Sequence, residues 1–121
     1  MALNLNKTSN TFRRKAEIVV FSDKGVPVKN FVNCEFKRTS KEDADAFDAE
    51  LAAADDSSSK AAMIRDRLEE VWMGWDVVDD NGPLQFTHEN RDRLFNLLAG
   101  SMYDIYRAYV GGVLGIDRKN A

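Results

Sequence analysis

The chain changes its hydrophobic period once, at Ser40, and that change sets its fold class. Before it, Val32, Cys34 and Phe36 alternate with Asn33, Glu35 and Lys37. A period of two places one face of a strand on a core. Further upstream, Ile18-Val19-Val20-Phe21 is a β-branched and aromatic run of the kind enriched in strands. Ser22-Asp23-Lys24-Gly25 stands between the two segments. Asp there can form an Asx turn and Gly accepts positive φ. Pro27 weakens its neighbours as central strand. The prediction is a β-hairpin with strands near 15–21 and 30–38. From Ser40 onward Ala44, Phe47, Leu51 and Ala54 recur at helical spacing.

Three further helices follow. Ser40 and Asp43 form a capping-box-like pair, and acids crowd the first turn, where the helix dipole favours them. Residues 55–60, "DDSSSK", read as a short connector. A second helix over about 60–73 carries Ile64, Leu68, Val71 and Trp72 as one stripe, and Gly74 ends it. Asp76-Val77-Val78, Asn81-Gly82 and Leu84-Gln85-Phe86 then make an irregular hooked turn over 75–86, with Pro83 preventing a clean ladder. Thr87 is an N-cap for a third helix over about 88–99, with Leu94, Leu97 and Leu98 inward and Arg91 and Arg93 outward. Ser101 is expected to cap a fourth helix, about 102–113, that frays at Gly111-Gly112. The whole is an α+β fold: an N-terminal β-hairpin, then about four short α-helices. Residues 1–11 are expected to be a flexible N-terminus, 12–115 a single domain and 116–121 a flexible tail.

Composition narrows the function classes. The 121 residues suit one domain, and 44% hydrophobic residues supply one modest core. No stretch approaches a membrane span, and the polar start has no apolar signal region. A single cysteine, Cys34, has no partner for an internal disulfide and fits a reducing compartment. Net charge is −3 but uneven: residues 1–39 hold eight Lys/Arg against three Asp/Glu, and residues 40–59 hold one Lys against seven acids. Such a division suits an internal arrangement or the steering of a charged protein partner. Nucleic-acid binding does not fit, because the basic residues do not alternate with aromatics as a single-strand platform requires.

The inventory for catalysis is thin. His88 is the only histidine and stands in the first turn of a predicted helix, ordinarily a surface position. Cys34 lies on the apolar side of its strand, without the cationic neighbours that lower a thiol pKa. "DVVDDNG" superficially resembles a calcium loop. Placing Gly82 at loop position six puts Val77 at position one and His88 at twelve, neither of which supplies the required carboxylate. The glycines at 111, 112 and 115 follow no strand and make no dinucleotide fingerprint. The reading is therefore not an enzyme, with no cofactor and no metal. Aromatic residues are the better candidates. Trp75 and Phe86 flank the turn, and Tyr103, Tyr106 and Tyr109 cover two faces of the last helix. These five are the candidate partner-binding residues, the tyrosines as a partly exposed face.

The order of these segments resembles the tail assembly chaperones of long-tailed bacteriophages. The resemblance rests on Gly74-Trp75-Asp76-Val77-Val78-Asp79, then Asn81-Gly82-Pro83-Leu84-Gln85-Phe86-Thr87, then Glu89-Asn90 and Leu94. "NFVNCEFKRTSKED" upstream and "YDIYRAY" downstream are similar to the family's extended Phe-containing segment and its terminal helix. Many members carry Pro directly before the Phe; here Gln85 stands there and Pro83 comes earlier. The similarity spans roughly residues 30–110. It implies a small protein of the host cytoplasm, absent from the mature virion. Such a protein binds the tape measure protein, and in some cases the tail tube protein, and keeps it soluble during tail assembly. It implies no nucleic-acid or membrane partner. Many members also exist in a longer, frameshifted form, and Arg118-Lys119-Asn120 is where an A-rich slippery run would be sought. The competing expectation is a structural virion component, such as a minor tail or head–tail connector protein.

Overall fold

A computed structural model describes residues 1–115. The predicted tail, with its frameshift position, lies outside the described residues. Two long strands, β1 (Thr11–Phe21) and β2 (Pro27–Lys37), pair antiparallel from Thr11↔Lys37 to Phe21↔Pro27. Four helices follow: α1 (Lys41–Ala53), α2 (Ser57–Val71), α3 (His88–Leu97) and α4 (Ser101–Leu114). Between α2 and α3 lie three short strands, β3 (Trp72–Gly74), β4 (Val78–Asp79) and β5 (Gly82–Pro83). The α+β architecture with an N-terminal hairpin agrees with the reading of the sequence.

The hairpin is longer at both strands than expected. β1 begins at Thr11 because Phe12 and Arg14 belong to the same inward face as Ala16 and Ile18. The N-terminus is tied at that point: the carbonyls of Ser9 and Asn10 accept from Arg38 Nε and Arg38 N at 2.9 and 2.7 Å. Before it, Leu5–Lys7 form one exposed 3-10 turn capped by Asn4. The turn is closed by Gly25 N donating to Ser22 O and Ser22 N donating to Val26 O, both at 2.9 Å, with Gly25 at φ 77°. That is the αL glycine of a bulged hairpin loop.

Four corrections concern the helices. α2 begins at Ser57, not near 60, because Asp56 caps it by accepting from Ser59 N at 2.7 Å; the serines form its first turn. It ends at Val71, because Trp72 turns extended and joins β3, a third strand on the other side of β2. Gly74 therefore pairs with Glu35 rather than terminating a helix. Ser101 does not cap α4. It is that helix's first residue and is buried, and Gly100 holds the cap position with no side-chain bond. In α3, Phe95 is the buried residue and Leu97 is 76% exposed, so the inward stripe runs through Phe95, Leu94 and Leu98.

One layer of helices covers one face of the sheet. Ala16, Ile18, Val32, Cys34 and Phe36 meet Leu68 and Val71 of α2 and Ile105, Ala108 and Tyr109 of α4 in a single core. α4 lies along β1 and also touches α1, α2 and α3, so it is the central helix of the domain. Its glycines are contact points, not fray points. The helix continues through them to Leu114 and ends at Gly115 in the αL conformation. A Cβ on Gly112 would stand 2.1 Å from Phe12 Cε2. Phe12 cannot swing freely, because it packs on Phe36 and Tyr109 with centroids 5.5 and 6.4 Å away. Helix propensity alone would favour Gly112→Ala by about 1 kcal/mol. The expected result is the opposite sign, a loss of about 1–3 kcal/mol from overpacking, read by urea denaturation.

Candidate protein-binding surface

The five aromatic candidates separate into two groups, and neither presents a free face. Trp75 and Phe86 do come together. Their rings meet edge to face at 5.4 Å, and both abut Trp72, at 5.6 and 5.1 Å. Trp75 Nε1 donates to Leu84 O at 2.8 Å, which closes the hooked turn on itself. Arg91, expected outward, lies 4.6 Å over the Phe86 ring and donates to Glu69 at 2.9 Å. Asp76 extends the sheet beyond β3: its carboxylate accepts from both Asn33 N, at 2.8 Å, and Asn33 Nδ2. Asp79 accepts from Asn81 N at 2.8 Å, an Asx turn. The residues 75–86 thus form a braced turn whose aromatics are half-buried against the core.

The tyrosines correct the expected exposed face. Tyr109 is 1% exposed and Tyr106 8%, while Tyr103 is half-buried against the core. Tyr109 Oη meets Thr39 Oγ1 at 2.5 Å and accepts from Arg67 at 3.2 Å. Tyr106 Oη donates to Asp48 at 3.0 Å; burial first, and that carboxylate second, raise its pKa above the ordinary phenol value. Arg67 is itself buried and joins Asp43 of α1 at 2.5 Å. Burial opposes its charge, but the bond to Asp43 and the contact with Tyr109 outweigh that and raise its pKa. These hydroxyls fasten α4 to α1 and α2.

The reactive side chains are equally occupied. Cys34 is fully buried, and burial, with the Asp76 charge adding to it, pushes its thiol up to about 12. A thiol held that far above neutrality is almost entirely protonated and inert. His88 is exposed and bridges Glu69 of α2 at 2.8 Å and Asp92 of its own helix at 3.2 Å. Among the described residues, no group of three or more His, Cys, Asp or Glu side chains is placed to hold a metal ion. No described helix is long and apolar enough to cross a membrane.

What the structure leaves uncovered is the distal hairpin. On the helix-facing side Ile18 and Val32 are the last buried residues and Val20 is half-buried; its partner Val28 is 47% exposed. On the opposite side the described residues leave the distal arm bare. Val19, Phe21 and Phe31 are 45, 68 and 55% exposed there, and Val26 in the turn 54%. At about 3.3 Å per residue the arm extends about 10 Å past Ile18, the last buried residue of β1. Phe31 stands diagonally across from Val19, given the pairs Glu17↔Phe31 and Val19↔Lys29. Lys15 Nζ lies 5.9 Å over the Phe31 ring. The arm is thus an apolar ridge with a basic flank, carried on a two-stranded hairpin. The signal was present in the sequence: Ile18-Val19-Val20-Phe21 is apolar at every position, so Val19 and Phe21 must leave the core face. Clustered exposed apolar residues of this kind mark protein-interaction sites.

Comparison with protein-family models, with curated proteins and with solved structures gave no match.

Proposed function

We propose that this protein is a non-enzymatic tail assembly chaperone of a long-tailed bacteriophage. It binds the tape measure protein, with the tail tube protein as a second client, and keeps it soluble in the host cytoplasm until the tail assembles. The observation that carries the reading is the exposed ridge of Val19, Phe21 and Phe31 on the bare face of the arm, with Val26 in its turn. A holdase needs an apolar surface with affinity for unassembled client, and that affinity shifts the client toward its soluble state by mass action. Long helical clients present apolar stripes, which such a ridge can receive. The resemblance over residues 30–110 gives the phage-tail assignment.

The same ridge would also suit a fixed interface inside the particle, as in a minor tail or head–tail connector protein. Mass spectrometry of purified virions separates the two. The chaperone reading expects the protein in infected-cell lysate and absent from the particle. A fixed copy number per virion would replace that reading with the structural one.

A further inference from the structure

The helical layer carries a second surface, separate from the arm. α1 and α2 each pack on α4 more extensively than on one another. Phe47 of α1 meets Tyr106 edge to face at 5.9 Å, and Leu68 of α2 shares the core with Ile105. Between the two helices lies a groove of about 320 Å³. Its α1 wall is Asp43, Ala46, Phe47 and Glu50, a stripe at i, i+3, i+4 and i+7. The α2 wall repeats that spacing with Met63, Asp66, Arg67 and Glu70. Each wall is therefore two turns long, or about 10 Å. The one cation in the lining, Arg67, is already paired with Asp43 and Glu70, at 2.5 and 3.5 Å. Glu50 and Asp66, one on each wall, have no ion-pair partner among the described residues. The groove is thus apolar along Ala46, Phe47 and Met63 and carries surplus negative charge on both walls.

We propose that the α1–α2 groove receives a cationic amphipathic helix of a partner protein. Charge complementarity sets the sign of the partner: surplus carboxylates attract lysine and arginine and repel phosphate and acidic segments. The walls set its conformation. Both are helices, whose backbone groups are already bonded, so an extended strand would find no ladder to join. A helix needs only side-chain contacts, and its i, i+3 and i+4 residues match a groove two turns long. Its apolar stripe seats on Phe47 and Met63, and basic residues on either side of that stripe reach Glu50 and Asp66. The inference goes beyond the arm and beyond the phage assignment, and it stands or falls without either.

Fluorescence anisotropy on the purified full chain tests it. The probe is a labelled amphipathic peptide of leucine and lysine, roughly 18 residues long, with its leucine/glutamate counterpart as control. Wild type is expected to bind the lysine peptide with a Kd below about 100 μM, more weakly at high salt, and not to bind the glutamate peptide. Glu50→Lys with Asp66→Lys should weaken binding at least tenfold. Ala46→Trp, which fills the groove without changing its charge, should do the same. Glu42→Lys with Asp55→Lys makes the same change of charge outside the groove and should leave the Kd within twofold. So should the arm variant Phe21→Ser, Phe31→Ser. All these positions are exposed, and circular dichroism checks that each variant folds. Absence of binding to wild type would overturn the proposal. So would equal losses in the two charge-reversed variants, which would mean attraction by net charge alone, or a loss confined to the arm variant. No tape measure protein is present, so none of these results bears on the client-holding role of the arm.

Discussion

Trp72→Ala is expected to cost about 3–5 kcal/mol, the range for deleting a large aromatic from a core. Trp72 is 2% exposed and touches three aromatic rings, those of Trp75, Phe86 and Phe95, the last at 5.9 Å. Its indole also donates to Gly74 O at 3.0 Å, and its backbone pairs with Phe36. Removing the ring therefore opens a cavity and loosens β3 together with the hooked turn, whose Trp75 and Phe86 lose their common wall. Against a total stability of about 5–15 kcal/mol, the variant is expected to be partly unfolded or to melt at least 10 °C lower. Urea denaturation gives the value, and Trp75 remains as a fluorescent reporter. Loss below about 1 kcal/mol would mean that the turn is not anchored through Trp72.

The second large effect is on binding and leaves the fold alone. Phe21→Ser with Phe31→Ser removes the two exposed rings of the arm, which touch no part of the core. Surface changes of this kind stay within about 0.5 kcal/mol in stability. Client affinity is expected to fall at least about 30-fold, the consequence of losing about 2 kcal/mol at one aromatic hot spot. Trp75→Ala should behave in the reverse way. Its ring is held against Trp72 and Phe86, so its loss lowers stability and affects the client only through unfolding. Titrating each folded variant against a client fragment, followed by calorimetry, distinguishes the two patterns.

The fold was largely legible because local signals were strong. Alternation at Val32, Cys34 and Phe36, the cap at Ser40 and the cap at Thr87 all have their expected partners in the structure. β3 was not legible, since Trp72-Met73-Gly74 continues the apolar stripe of α2 and three residues carry no period. Only the edge of β2, a tertiary feature, draws them into a strand. The candidate site was less legible for a related reason. α4 comes last in the chain order and reads as a terminal helix, so three tyrosines on two faces imply exposure. Its neighbours are β1, α1, α2 and α3, and a helix surrounded in this way buries residues on several faces. The glycines at 111 and 112 had the same ambiguity: in sequence they signal fraying, and in space they admit Phe12 and Arg14. In the arm, the apolar run of residues 18–21 shows that Val19 and Phe21 leave the core face, but that no layer covers them there is a property of packing, not of a strand's own pattern.

The most direct measurement is co-expression of the tape measure protein with either the wild-type chain or the Phe21→Ser, Phe31→Ser variant, followed by separation of soluble from aggregated client. If the arm holds the client, wild type keeps it soluble and the folded variant leaves it in the pellet. Client that stays soluble equally with both, or that aggregates even with wild type, would contradict the arm's role as the client-holding surface.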